Sequence, residues 1–147
     1  MINFKTNLYK KLTGFLTKKG NKIRAKNIVD SSFLLLSKKL RCPLPSLVFL
    51  VFKILNTFVE AKKVRVKRRM HIVPFSITLR RRSYLIIKWL IQAVSENNEK
   101  ISMIKKIYKE VLLLLVKKKR GESKAFKLKQ LNNKLAISNR SKMHYRW

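Results

Sequence analysis

Apolar side chains recur at intervals of three and four residues through the first third of the chain. Leu8 and Leu12 begin the pattern, which resumes after residue 22. This spacing places apolar side chains on one side of a helix. Gly20 and the prolines of Cys42-Pro43-Leu44-Pro45 interrupt it, and Ser46 is a typical helix N-cap. The pattern predicts helices over about residues 6–19, 22–41 and 46–57.

The period of the pattern falls from about 3.6 to 2 residues between residues 59 and 80. Val64 and Val66 share one face of the first arm, and Val73, Phe75 and Ile77 share one face of the second. Alternation of this kind is typical of strands. The two arms are therefore predicted to form an antiparallel β-ribbon over about residues 59–80, although no Asn-Gly or Gly-Gly pair marks its turn.

Helical spacing returns after the ribbon. Ser83 is a candidate N-cap, Ser102 precedes a second apolar series, and further leucines follow Phe126. These signals predict helices over about residues 83–96, 102–119 and 124–138. The expected fold is mainly α: a single domain over residues 1–147, with about six helices and a projecting two-stranded β-ribbon.

The charge of the chain limits what it can bind. Its 147 residues include 37 Lys and Arg but only 6 Asp and Glu, which gives a net charge of +31, while 46% of the residues are hydrophobic. That composition indicates a folded domain with strong self-repulsion, which a polyanion would relieve. Nucleic acid is the expected partner, and an anionic membrane surface is the alternative. The longest apolar runs are far shorter than the ~20 residues that span a bilayer, so no membrane span is predicted.

The residues that catalysis requires are scarce. The six carboxylates are scattered, His71 and His144 have no nucleophile or orienting carboxylate nearby in sequence, and Cys42 is the single cysteine. Phosphate-binding glycine loops and metal-ligand spacings are also missing from the sequence. We therefore expect a protein that is not an enzyme and that has no cofactor, metal or disulfide.

Basic and aromatic residues in several elements are predicted to contact nucleic acid. An isolated two-stranded ribbon is only marginally stable in water, so a cationic ribbon suggests an anionic partner that orders it. Arginine suits phosphate and base contacts, and aromatic rings stack on unpaired bases. The alternatives are that a lysine-rich helix face is only solvated and that Tyr145 and Trp147 only pack the chain end. The predicted residues are Lys10, Lys11, Lys18, Lys19, Lys22, Arg24, Lys62, Lys63, Arg65, Lys67, Arg68, Arg69, Arg80, Arg81, Arg82, Lys117, Lys118, Lys119, Arg120, Arg140, His144, Tyr145, Arg146 and Trp147.

Several short motifs, in order along the chain, resemble those of a known family. Asn139-Arg140 and His144 to Trp147 look like its closing "AN(K/R)…HYRW". Arg81-Arg82-Ser83, Leu85 and Lys88-Trp89-Leu90 look like its "RR…LA.RW(L/I)". Together these motifs identify the chain as similar to the S-seven family of small-subunit ribosomal proteins, of the bacterial and organellar type.

Weaker similarities extend the resemblance upstream. Val59-Glu60 and Val73-Pro74 fit the "VE" and "VP" of the family's ribbon, and Gly20-Asn21-Lys22, Ala25 and Ile28-Val29 fit its "GKK…A…IV". The resemblance covers about residues 8–147. It implies a structural protein that binds the 3′ major (head) domain of small-subunit ribosomal RNA and helps nucleate head assembly. It also implies a ribbon near the exit-site transfer RNA and messenger path, neighbouring ribosomal proteins as partners, and no homo-oligomer.

The chain also departs from the family pattern. Only about seven residues precede the first helix, where the family has a basic arm, and Lys67-Arg68 replaces a Gly-Gly pair at the ribbon tip. Residues 117–134 keep the basic character without the family's "KKRE". These differences leave open what replaces the arm and whether the tip keeps its exit-site role.

The composition suggests where the protein works. Lys, Asn, Ile, Phe and Leu exceed Ala and Gly, as an AT-rich genome would give, and Met1 to Val29 is basic but poor in Ser and Arg. We expect an organelle-encoded protein of the mitochondrial ribosome without a cleavable presequence; the alternatives are a plastid or bacterial cytoplasm. The alternative functions are a DNA-compacting architectural protein and a cationic protein of a membrane surface.

Overall fold

The chain folds into helices that surround one apolar core, with a single two-stranded ribbon between the third and fourth of them. The computed structural model describes residues 2–97 and 100–146, with side chains from Leu8 onward. The α-helices are α1 (Ile2–Leu16), α2 (Lys22–Leu40), α3 (Leu44–Leu55), α4 (Leu79–Ser95), α5 (Met103–Leu115) and α6 (Lys124–Ser138). The strands are β1 (Val59–Val66) and β2 (Arg69–Ser76), and two 3₁₀ helices are η1 (Lys117–Glu122) and η2 (Arg140–Arg146). The prediction of a mainly α fold with a β-ribbon is confirmed.

Local signals explain several of the helix ends. Asn21 caps α2 by accepting a hydrogen bond from the Arg24 amide, and Ser123 caps α6 by accepting one from the Phe126 amide. Arg41 ends α2 in the left-handed conformation, at φ 50°. Helix α3 begins at Leu44, two residues before the expected position, because Pro43 serves as its N-cap.

The start of α4 differs most from the expected boundary. The helix begins at Leu79, and the Arg82 amide donates to the Thr78 carbonyl at 2.9 Å to close its first turn. Ser83 is therefore not the N-cap; its hydroxyl donates to the Arg80 carbonyl instead. The apolar alternation of the ribbon concealed this boundary, because Ile77 and Leu79 continue its parity. Arg80, at the end of the predicted ribbon, and Arg81 and Arg82, just after it, thus lie on the first turn of α4.

The expected fifth helix divides into two elements. The backbone becomes extended at Val116 (φ −75°, ψ 111°), so α5 ends at Leu115 and η1 follows. A buried carboxylate joins α5 to α6: Glu110, only 2% exposed, accepts hydrogen bonds from the Ser123 hydroxyl at 2.7 Å and the Ala125 amide at 2.9 Å. This interaction fixes the direction in which α6 leaves η1.

The core is built from all six α-helices. Its fully buried side chains include Leu36, Leu47, Leu55, Ile107 and Leu114. A smaller cluster of Ile77, Leu85 and Trp89 joins the end of the ribbon to α4. Burying these side chains stabilises the scaffold by roughly 1.5–3 kcal/mol each.

The ribbon has an unbroken antiparallel register from Val59 opposite Ser76 to Val66 opposite Arg69. Lys67 and Arg68 form the turn, and Lys67 has a φ of 54°, in the left-handed region that favours glycine. The base of the ribbon is not isolated, since β1 and β2 pack against α6 and η2. The expectation of an isolated, projecting ribbon therefore applies only to its tip.

Candidate nucleic-acid interface

The ribbon tip concentrates positive charge. Lys63, Arg65, Lys67, Arg68 and Arg69 are all exposed and occupy paired or adjacent positions of the turn and strands. Neighbouring strands lie about 5 Å apart and residues rise about 3.3 Å along a strand, so these cations share a surface of nanometre size. From residue 61 to residue 95 the sequence contains no carboxylate that could neutralise them. Such a surface has a strong positive potential.

An ion pair between a buried carboxylate and a half-exposed arginine holds the base of the ribbon on α4. Arg81 donates to the Glu60 carboxylate through Nε at 2.9 Å and Nη2 at 2.7 Å, and Lys62 lies 3.8 Å from the same carboxylate. The hydrogen bonds from Arg81 hold the pKa of the Glu60 carboxyl below its usual value, although burial opposes the shift. Arg81 is therefore engaged within the chain and positions the ribbon, which its place in the sequence did not indicate.

The other two arginines of α4 differ in exposure. Arg82 donates from Nε to the Ile77 carbonyl at 3.2 Å, and its guanidinium lies 4.2 Å from the centre of the Phe58 ring. Arg80 is exposed beside them. The structure thus leaves Arg80 accessible to a ligand, whereas Arg82 supports the start of the helix.

Two asparagines of α6 also fix the ribbon. Asn132 accepts from the Ala61 amide at 3.1 Å and donates to the Val59 carbonyl at 2.8 Å. Asn133 accepts from the Thr57 hydroxyl at 3.1 Å. Sequence reasoning missed this role. The signal was two adjacent asparagines inside a helix, where their low helix propensity needs another explanation.

The C-terminal tail folds back onto β2. The Tyr145 ring stacks on His71 with the ring centres 4.8 Å apart and the planes 14° apart, and the tilted His144 ring lies 4.0 Å from the centre of the Tyr145 ring. Arg146 donates from Nε to the Pro74 carbonyl at 2.8 Å. Tyr145 and Arg146 therefore pack onto β2, and their contact with RNA stays a prediction. Trp147 lies outside the described residues.

The helix residues of the predicted set are distributed over two regions. In the first region, exposed cations lie on α1, between α1 and α2, and on the first turn of α2: Lys10, Lys18, Lys19, Lys22 and Arg24. Lys11 is half-buried and donates to the Ser83 hydroxyl at 2.8 Å, so it connects α1 to α4. The second region is η1, where Lys117, Lys118 and Lys119 are exposed and Arg120 donates from Nε to the Leu114 carbonyl at 3.0 Å.

The remaining predicted residues lie near the ribbon base and on η2. Lys62, Arg140 and His144 are exposed, Lys62 near the ribbon base and the other two on η2. Within residues 2–97 and 100–146, no group of histidine, cysteine or carboxylate side chains could hold a metal ion. The same part of the chain contains no helix long and apolar enough to cross a bilayer.

A helical scaffold that presents a cationic ribbon tip without carboxylates defines a structural protein with a surface suited to a polyanion. The chain belongs to the family described as Ribosomal protein S7p/S5e, whose model matches residues 2–140. It is therefore a structural constituent of the small ribosomal subunit and not an enzyme.

Individual relatives cover almost the whole chain. "Small ribosomal subunit protein uS7m" of Reclinomonas americana is 32% identical over 146 residues, covering 98% of this chain and 87% of the relative. "Small ribosomal subunit protein uS7" of Mesomycoplasma hyopneumoniae is 28% identical over 144 residues, covering 98% of this chain and 89% of the relative. "Small ribosomal subunit protein uS7m" of Drosophila melanogaster is 36% identical over 75 residues, covering 51% of this chain and 33% of the relative.

Proposed function

We propose that this protein binds the 3′ major (head) domain of small-subunit ribosomal RNA and helps nucleate assembly of the head. The ribbon tip is the principal observation that supports the proposal: its exposed charges are all positive, and its base is fixed to α4, α6 and η2. A fixed base lets the tip reach into folded RNA without losing orientation. Binding then releases counterions from the phosphates that the lysines and arginines neutralise.

The contacts divide by the chemistry of the side chains. Arg65, Arg68 and Arg69 can reach phosphate oxygens with two donors each, whereas Lys63 and Lys67 act as compact charges. Phosphate contacts position a protein, and contacts to unpaired bases give sequence preference. The exposed ring of His144 is available for such a base, while Tyr145 orients it from the side. The cations of α1 and α2 and Arg80 supply further phosphate contacts.

The ribbon also indicates where the protein lies within the small subunit. As the family resemblance implies, the tip lies near the exit-site transfer RNA and the messenger path, and neighbouring ribosomal proteins pack on other surfaces. The two-residue turn at Lys67-Arg68 adds charge where the family has Gly-Gly, which strengthens a phosphate contact at that place. The chain acts as one copy per subunit, without self-association.

We further propose a mitochondrial ribosome as its location, encoded in the organelle. The AT-rich type of composition supports this, as does the similarity to uS7m of Reclinomonas americana. The similarity to bacterial uS7 proteins supports the bacterial alternative. Organelle fractionation followed by sedimentation would decide: the proposal requires the protein to travel with the mitochondrial small subunit.

The RNA proposal is tested by the salt dependence of binding to a transcript of the head domain. The variant Lys67→Gln/Arg68→Gln/Arg69→Gln should lower the slope of log K against log salt by roughly 2–3, because each lost phosphate contact removes about 0.7–0.9. The matched control, Lys38→Gln/Lys100→Gln/Lys105→Gln, removes the same charge from exposed positions outside the predicted surface. It should change the slope by less than one.

Two outcomes would contradict the proposal. Equal effects of both triple variants would mean that net charge, and not the ribbon, determines binding. Duplex DNA that competes as well as the head-domain transcript would favour the DNA-compacting alternative, because a folded RNA junction would then give no preference.

A further inference from the structure

A second basic surface lies away from the ribbon tip and is built around an apolar cleft. The cleft, about 620 Å³ in volume, lies between α3, the end of α5 with η1, and the first half of α6. Its apolar lining includes Leu47, Leu50, Ile54, Leu115 and Phe126, and its basic lining is Lys53, Lys117, Arg120 and Lys129. None of the residues that line the cleft is a carboxylate.

The cations of this cleft are held in place by the fold. The Lys129 ammonium donates to the Ile54 carbonyl at 2.6 Å, near the C-terminal end of α3, and Arg120 donates to the Leu114 carbonyl at 3.0 Å. Burial lowers the pKa of Lys129, and the nearby charge of Arg120 lowers it further. Two fixed like charges therefore face one cleft without a neutralising group in its lining, and an anionic ligand would relieve their repulsion.

The apolar lining distinguishes between kinds of anionic ligand. Nucleotide bases bind proteins largely by stacking on aromatic rings. The one aromatic ring of this cleft, Phe126, has the Lys129 ammonium over it, 6.0 Å from its centre. The other apolar side chains are leucines, one isoleucine and Cys42, and Leu50 is 40% exposed. A surface of this composition matches an aliphatic side chain better than a base.

We propose that the cleft binds an acidic segment of a neighbouring protein, which inserts a leucine-like side chain between its carboxylates. The apolar side chain rests on Leu50 and Leu115, and the carboxylates meet Lys53 and Lys117 at the rim. Lys117 and Arg120, predicted from the sequence to contact RNA, then face a protein partner. The proposal does not depend on binding of ribosomal RNA by the ribbon, because the two surfaces involve different elements.

The test uses two fluorescein-labelled peptides with the same number and spacing of glutamates, one with leucines and one with alanines between them. Binding of each to the full-length protein is measured by fluorescence anisotropy at about 0.15 M salt, where the Debye length is about 8 Å. General attraction to a strongly basic protein affects both peptides equally. The proposal requires a preference of about tenfold for the leucine peptide, as expected for partial burial of a leucine side chain.

Matched variants locate that preference. Leu50→Asn should remove most of it, whereas Leu34→Asn, at a leucine that is 48% exposed on α2, should leave it unchanged. If Leu50→Asn does not fold, Lys53→Gln serves instead: it should weaken both peptides by roughly two- to fivefold, and Lys38→Gln should weaken neither by as much.

Three outcomes would overturn the proposal. If the wild-type protein binds both peptides equally, the cleft does not recognise the leucine side chain. If Leu50→Asn and Leu34→Asn both lose the preference for the leucine peptide, or if Leu50→Asn keeps it, the peptide is recognised outside the cleft. If a uridine oligomer displaces the peptide, and if Leu50→Asn also weakens binding of that oligomer, the cleft binds RNA. Binding of Leu50→Asn to the head-domain transcript, expected to equal that of wild type, separates this test from that of the ribbon.

Discussion

The Glu60–Arg81 pair should hold the ribbon in its orientation, and a single isosteric substitution tests this. Glu60→Gln keeps the shape of the side chain but removes its charge and one of the two acceptors that Arg81 uses. Glu60 is only 8% exposed, so water cannot replace those interactions fully. We expect the variant to lose stability and the ribbon base to become more dynamic.

The size of the effect follows from the geometry. A hydrogen bond to a charged group contributes about 1.5–3 kcal/mol when buried. The Arg81 side chain is 41% exposed, which moves the pair toward the weaker range of surface ion pairs. We therefore expect Glu60→Gln to lower the free energy of unfolding by about 1–2 kcal/mol.

Urea unfolding at several pH values measures this effect. Because the folded pKa of Glu60 lies below its unfolded value of about 4.3, the stabilisation is fully present above that pH and is lost as pH falls through the folded pKa. The difference between wild type and Glu60→Gln should therefore be constant at neutral pH and shrink below about pH 4. Glu122→Gln is the matched control, since Glu122 is an exposed carboxylate and its loss changes net charge equally.

Two results would refute this reasoning. If Glu122→Gln destabilises the protein as much as Glu60→Gln does, the effect comes from net charge and not from the pair. If Glu60→Gln keeps its full effect at pH 3, ionisation of Glu60 does not contribute to the stability of the ribbon.

Three further predictions concern other parts of the scaffold. Arg41→Gly should raise the free energy of unfolding by about 0.5–1 kcal/mol because Arg41 has a positive φ at the end of α2. Lys38→Gly, inside the same helix, should lower the free energy of unfolding by about 1 kcal/mol. Urea unfolding measures both changes, and two changes of the same sign would contradict this prediction. Glu110→Ala should cost about 2–4 kcal/mol because two buried donors lose their acceptor, and a loss below 1 kcal/mol in the same assay would show that water replaces it. Asn132→Ala should accelerate hydrogen exchange of the Ala61 amide by about tenfold, and unchanged exchange would mean that α6 does not fix the ribbon.

The regular elements of the fold follow from local patterns in the sequence, which is why they could be predicted. The periods of 3.6 and 2 residues gave the helices and the ribbon, and the prolines after Arg41 gave the break before α3. The boundary at Leu79 was missed because strand parity and the first turn of a helix overlap there. The break at Val116 has no glycine or proline to mark it.

The support of the ribbon could not be predicted because it depends on contacts between distant residues. Glu60 and Arg81 are 21 residues apart, and Asn132 lies 71 residues from Ala61. The stacking of Tyr145 on His71 likewise requires the tail to return to β2. Sequence alone therefore identified which residues are basic or aromatic, but not which of them the fold uses internally.

The central claim, that the ribbon tip lies against head-domain RNA, is tested most directly by cleavage from a tethered probe. Cys42 is the only cysteine, so a Cys42→Ser background permits one iron chelate to be attached at Arg68→Cys on the tip or, as the control, at Lys38→Cys on α2. Hydroxyl radicals are then generated in the complex with full-length small-subunit ribosomal RNA. The account predicts strand breaks in the 3′ major domain from Arg68→Cys at sites that the control does not cut. Breaks that are absent, or identical for the two positions, would contradict it.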